Sequence, residues 1–298
     1  MTLDLFIEQA LNGIQLGMLL FLMSIGVTLV FGVMRVINLA HGAMLTLAAS
    51  VAAGAYAATN SLALSVLIAL IGCIVGALAI EYLVVRKLYT KSHLDQVLAT
   101  FGITLFVNEL IIVLFGREPL FMPLPPVLSG QVEILPSIIY PAYRLAITGA
   151  TVVIGLMVYL LLTRTRMGAL VRAGADDRQM VALLGSNIDR VYTAVFVLSA
   201  VLAAVAGIMI GPLISIQSGL GDPILILALV VIVIGGLGSV RGALVASILV
   251  GCLDTAGRIF LPQLLGSTAG AAIANMMVYL LMAAVLLVRP QGLFSSRS

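Results

Sequence analysis

Nine long apolar runs, separated by clusters of Gly, Pro, Asn or charge and by two longer loops, organise this chain. They cover residues 8–34, 39–58, 62–85, 97–115, 142–163, 191–213, 223–240, 241–258 and 271–288. Most are about 18–25 residues long, the length at which an α-helix crosses ~30 Å of hydrocarbon, and none shows the strict alternation of a barrel strand. The pattern predicts an all-α fold: a polytopic transmembrane helix bundle with eight or nine membrane spans. The second, seventh and eighth runs are the least distinct. Residues 39–58 are rich in Ala and Gly and follow Arg35 closely, which suits a short or broken helix as well as a full crossing.

Composition agrees with the pattern. Hydrophobic residues make up 62% and charged ones 9% of the chain, and mean hydropathy is +1.24, far from a soluble globular domain. The first 34 residues contain no Lys or Arg but do contain Asp4 and Glu8, so the basic region of a cleavable signal peptide is missing and the first run is expected to stay as a helix. Cys73 and Cys252 sit in apolar runs without a second Cys or His at ligand spacing. They read as small buried hydrophobes, with neither a metal site nor a disulfide expected. Residues 1–298 read as a single transmembrane domain.

Charge placement orients the runs. Arg86, Lys87, Lys91, the 164–190 loop, Arg241, the C-terminus and Arg35 fall on one face, leaving Arg117, Arg144 and Arg258 on the other. The positive-inside bias places the 164–190 loop in the cytoplasm, with the N-terminus outside if there are nine crossings. The outer loop, 116–141, carries six of the ten prolines and is expected to be an extended, stiff cap. Gly13 with Gly17, Gly72 with Gly76, and Gly207 with Gly211 keep the four-residue spacing that lets helix backbones approach, within one bundle or across a dimer seam.

Several polar groups fall at membrane depth, where they need a reason. Between two apolar runs lie Arg35, Asn38 and His41, either a hydrogen-bonded support at a helix break or a gate or substrate contact. Gln96, Thr100, Thr104 and Asn108 recur every fourth residue and line one stripe of the fourth span, as a wet translocation path or as bonds to neighbouring helices. Glu81, Glu109 and Asp254 are expected to pair with Arg86, Arg117 and Arg258 near helix ends. His41 has no second ligand at metal spacing. Gly235, Gly236, Gly238 and Gly242, with Arg241, mark a helix break. They do not form a phosphate cradle, because Lys87 and Lys91 are the only lysines and neither follows a glycine.

The 164–190 loop is the only long polar segment on the inner side. Asp176 with Gln179, then Gly185, predict a short helix over 177–184, and Ser186 with Asp189 predicts the capping box of the next span. Met180, Val181, Leu183 and Leu184 give that helix an apolar stripe, and Asp177 and Arg178 charge its start. Eight residues span only about 12 Å, so an outside surface should cover the stripe: a cytoplasmic partner, or the lipid interface.

Three stretches carry a closer resemblance: Thr28 to Ala43, Arg172 to Val191, and Gly235 to Ala243. Together with the ending Arg289 to Phe294 they resemble the LivH-type permeases of branched-chain amino acid ABC importers, over nearly the whole chain. The resemblance implies a non-enzymatic subunit of the bacterial inner membrane that binds no cofactor itself. It implies a second homologous permease, two cytoplasmic ATP-binding subunits and a periplasmic amino-acid-binding protein as partners, with no nucleic acid. It makes the segment with Asp176, Asp177, Arg178, Met180, Val181, Leu183, Leu184 and Gly185 the ATPase-coupling element, with Gln179-Met180-Val181 where the wider importer pattern has Glu-Ala-Ala. Relatives carrying urea, amides or aromatic acids remain alternatives. So does a stand-alone carrier driven by ions through Glu109 or Asp254. An intramembrane hydrolase built on Ser24 and His41 is disfavoured, since no Gly-x-Ser-x-Gly elbow surrounds Ser24.

Overall fold

The computed structural model describes residues 3–136, 138–176, 178–183 and 187–294, without the side chains of residues 3, 176, 178, 179 and 182. The helices in order are α1 (Leu3–Met34), α2 (Ala40–Thr59), α3 (Leu62–Leu88), α4 (His93–Phe115), α5 (Ala142–Arg164), α6 (Arg166–Asp176), α7 (Arg178–Leu183), α8 (Ile188–Ile210), α9 (Gly221–Gly235), α10 (Val240–Leu265) and α11 (Ser267–Val288). Among the described residues, eight helices are long and apolar enough to cross a membrane. The apolar α9 has 15 residues, about 22 Å at 1.5 Å per residue. The chain is all-α and polytopic.

One open alternative is decided here and one expectation changes. Residues 40–59 form one continuous 20-residue helix, because four-residue bonding runs unbroken through its Ala-rich sequence. The 116–141 loop is not wholly extended: β1 (Gln131–Leu135) pairs antiparallel with β2 (Ile138–Pro141), and Pro126–Leu128 makes a 3-10 turn.

Small polar residues set the helix starts by accepting bonds from free N–H groups. Ser92 Oγ accepts from Asp95 N at 3.2 Å while Asp95 Oδ2 accepts from Ser92 N, a capping box that starts α4 four residues before its apolar run. Asn187, rather than the predicted Ser186, caps α8, accepting from Arg190 N at 3.2 Å. Ser239 accepts from Gly242 N at 3.0 Å and starts α10.

The chain forms two compact units. One comprises Met1–Ser24, Leu124–Gly155 and Leu227–Ser298. Within it α10 packs along α11, and a Cβ on Gly13 would lie 2.6 Å from Cys252 Cα, one on Gly17 2.7 Å from Ser247 O. This glycine pair therefore brings backbones together inside one chain.

The other unit comprises Ile25–Pro123 and Leu156–Ile226. At its centre α2 packs against α3, α4 and α8, with Ala40, Ala43, Ala48, Ala49 and Ala52 fully buried. Gly207 admits the Leu45 carbonyl where any side chain would collide. Gly72 and Gly76 differ: their nearest neighbours, Val51 Cγ1 and Leu47 Cδ2, are at ordinary contact distance, so no close backbone approach explains that pair. Large apolar side chains such as Leu67 and Val75 on α3 and Phe106 and Val113 on α4 point outward, as lipid-facing helices require.

Candidate functional site

Between α1 and α2 the chain leaves the helix for residues 35–39, and Arg35 adopts a left-handed φ of 53°. Backbone groups freed from a helix and part-buried need partners, and α4 supplies them. Ile37 N donates to Gln96 Oε1 at 3.4 Å and Leu39 N to Thr100 Oγ1 at 3.1 Å. Gln96 Nε2 in turn donates to Leu88 O at 3.2 Å, which ties the break to the end of α3. Asn38 Oδ1 accepts from Ala40 N at 3.0 Å. The N-terminal half of the polar stripe therefore clasps the break.

Further along the stripe, Thr104 donates to Thr100 O at 3.0 Å within its own helix. Asn108 Nδ2 donates to Asp222 Oδ2 at 3.2 Å, and Asn108 O accepts from Ser218 Oγ at 2.8 Å. Gly221 N donates to Thr46 Oγ1 at 2.8 Å, so α2 and α4 together anchor the start of α9.

Arg35, Asn38 and His41 do not share one cluster, contrary to the sequence expectation. His41 is 1% exposed; its Nδ1 lies 3.2 Å from Ser199 Oγ, and its ring occupies the space that a side chain on Gly26 would need. Asn38 turns back on its own backbone. Arg35, at its left-handed φ, is exposed and has no side-chain partner among the described residues. Ser24, for its part, donates to Ala228 O at 3.4 Å.

Near the C-terminal end of α3 a π-helical turn, Glu81–Val85, carries a buried carboxylate. Glu81 is 1% exposed and accepts from Arg86 Nη2 at 3.2 Å and from Tyr89 Oη at 2.7 Å. Arg86 Nη2 also donates to Thr193 Oγ1 at 3.0 Å, on the second turn of α8. Burial, then the Glu81 carboxylate, push the Tyr89 phenol above its ordinary range, which keeps it a donor. Only the Glu81–Arg86 pair was legible from spacing. Asp254 and Arg258 pair as expected, at 2.8 Å. Glu109 does not pair with Arg117: both are exposed and neither has a partner among the described residues.

Among its described residues the 164–190 segment holds two helices where one was predicted. The predicted helix is present as α7, Arg178–Leu183, and Asp176 just before it is also the last residue of α6, a helix the sequence did not predict. Asp177, Leu184, Gly185 and Ser186 lie outside the described residues. The α6 helix can form because Gly168 fits against the carbonyls of Leu161 and Leu162, and Gly174 against Ile188 Cδ1. The predicted stripe also divides. Val181 is 4% exposed, whereas Met180 is 55% and Leu183 83% exposed.

The glycine cluster is a turn between α9 and α10. Gly236 and Gly238 have φ of 101° and 83°, and Gly235 meets Gly242 backbone to backbone. The C-terminal segment docks there: Leu293 N donates to Ile234 O at 2.8 Å and Phe294 N to Gly235 O at 3.0 Å. A fold-back of the tail onto this turn has no signal in the local sequence.

The family described as branched-chain amino acid transport system, permease component, matches residues 9–288. The high-affinity branched-chain amino acid transport system permease protein LivH of Salmonella typhimurium is 28% identical, covering 97% of this chain and 95% of its own. The corresponding BraD of Pseudomonas aeruginosa is 27% identical over 85% and 86% of the two chains. A probable branched-chain amino acid transport permease protein LivH of Methanocaldococcus jannaschii is 26% identical over 92% and 88%. No solved structure matches the chain. With eight membrane-length helices and a match that omits only its ends, this chain belongs to the family of branched-chain amino acid transport system permease components.

Proposed function

We propose that the chain is the membrane-spanning permease subunit of an ATP-binding-cassette importer, carrying branched-chain or related amino acids across the bacterial inner membrane. A second, homologous permease completes the path. Two cytoplasmic subunits bind ATP, and a periplasmic binding protein delivers the amino acid.

The observation that carries this reading is the exposure of Met180 and Leu183 on α7, on the face that charge bias puts in the cytoplasm. A six-residue helix showing two large apolar side chains to water is unstable by itself and gains by being covered. A push on it has a route inward: α6 and α7 pack against α8, and Arg86 joins Thr193 of α8 to the buried Glu81 of α3. ATP binding would then favour one arrangement of these helices and hydrolysis the other, a population shift set by the partner subunits.

The test is assembly. Co-expression of the full chain with candidate ATP-binding subunits is expected to give a complex that Met180→Asp with Leu183→Asp abolishes. Unchanged association of that double variant would overturn the docking role.

A further inference from the structure

Where α4 ends, the unit built on α2 holds a cavity of about 150 Å3. Ile111, Ile112 and Phe115 of α4 form its apolar wall, and Leu120 and Ile216 continue it. The wall is fixed, because Leu120 and Ile216 exchange both backbone bonds, at 2.8 and 2.9 Å. Gly116, at a φ of 85°, turns the chain out of α4 and brings Arg117 and Glu118 to the mouth. Both are exposed, and neither has an ion pair or side-chain hydrogen bond among the described residues.

Ser50 lines the same cavity. It is fully buried, and its hydroxyl has no hydrogen-bond partner. Helical hydroxyls ordinarily bond back to the carbonyl four residues earlier, as Thr46 does to Gly42 at 3.2 Å, and Ser50 does not. A buried hydroxyl without a partner costs free energy unless something in the cavity satisfies it.

We propose that this cavity is a binding subsite for one neutral, zwitterionic amino acid with a short aliphatic side chain. The inference rests on the importer reading for its substrate class and adds the place where the chain holds that substrate. An amino acid brings the three features this lining complements: a carboxylate for the Arg117 guanidinium, an ammonium for the Glu118 carboxylate, and an apolar side chain for the α4 wall. The Ser50 hydroxyl offers one more hydrogen bond to the charged head. A purely apolar ligand would leave all three polar groups unused, and a simple anion or cation would meet like charge at the mouth.

The experiment is equilibrium binding of radiolabelled L-leucine to the full chain in lipid nanodiscs. Leucine is expected to bind, and 4-methylpentanoate, which lacks the ammonium, and isoamylamine, which lacks the carboxylate, are expected not to compete. Arg117→Gln and Glu118→Gln should each weaken binding by about tenfold or more, the loss expected for one charge-assisted bond. Ser50→Ala should weaken it severalfold, and Ile111→Trp, which fills the cavity, should abolish it. Circular dichroism confirms that each variant is folded. Leucine affinity unchanged in the two mouth variants, or effective competition by either truncated analogue, overturns the proposal. So does loss of binding-protein docking in those variants with leucine affinity intact, which would make the mouth a protein contact. Failure here is separable from failure of the importer reading: ATPase association without leucine binding removes the subsite alone, and leucine binding without ATPase association removes the importer alone.

Discussion

The N–H of Leu39 donates to Thr100 Oγ1 at 3.1 Å, across 61 residues of sequence, and this bond closes the non-helical break that precedes α2. Thr100 is fully buried, so no bulk water can replace its hydroxyl. Thr100→Val keeps the shape and removes the acceptor, leaving a part-buried N–H unpaired at a cost of about 1 kcal/mol. The expected result is a lower melting temperature of the purified chain in detergent, with Thr100→Ser close to the original. An unchanged melt for the Val variant would mean that the break does not depend on α4.

Tyr89 should control alkaline stability. Burial and the Glu81 carboxylate raise its phenol above the ordinary 10.0, so the native state holds this proton more tightly than the unfolded chain does. The stabilisation is complete below about pH 10 and is lost as the pH climbs through the raised native value. Tyr89→Phe should cost roughly 1.5–3 kcal/mol at neutral pH, as a hydrogen bond to a charged acceptor does, and should flatten the fall in stability above pH 10. Melting curves from pH 7 to strongly alkaline conditions read both effects; a Phe variant with the parent's alkaline slope would assign that slope to other groups.

Two glycines should respond oppositely to alanine. Gly236 combines a φ of 101° with the Phe294 carbonyl packed against it, so Gly236→Ala is expected to cost about 1–3 kcal/mol and to release the C-terminal segment. Gly102, within α4, has nothing near its missing Cβ, and Gly102→Ala should add about 0.5–1 kcal/mol. Chymotrypsin digestion reads the first through faster cleavage at Phe294, and thermal melts read the second. Equal protection of Phe294 in both variants would show that the tail is held elsewhere.

Much of this architecture is visible in sequence because hydrocarbon permits so few alternatives. An apolar run of membrane length must be a helix, whereas the caps Ser92 and Ser239, which set where α4 and α10 begin, were not read from the sequence. Periodicity likewise places Gln96, Thr100 and Asn108 on one face, but a repeat cannot say what the face meets, and here it meets a backbone break and the start of α9. The α6 helix was hidden because Gly168 and Gly174 look like loop residues until Leu161, Leu162 and Ile188 are packed against them. The partnership of His41 with Ser199 joins positions 158 apart, beyond the reach of any local pattern.

Glu109 decides between energy sources. It is exposed on α4 and unpaired among the described residues, six positions before Phe115 and so about 9 Å along the helix from its end. A carboxylate so placed is what a proton- or sodium-driven carrier would use to move charge, and neutralising it would stop such a carrier. In an ATP-driven importer the same side chain carries no coupling ion, because the free energy enters through the cytoplasmic segment. Glu109→Gln is therefore expected to leave ATP-dependent amino-acid uptake within about twofold of the parent, the scale of an ordinary surface change. The comparison is made in proteoliposomes holding the assembled importer with ATP inside, and in proteoliposomes holding this chain alone under an imposed proton or sodium gradient. Gradient-driven uptake by the chain alone that vanishes with Glu109→Gln would replace the importer with a secondary carrier; uptake only in the assembled, ATP-loaded vesicles, with the variant active, assigns the driving force to the partner subunits.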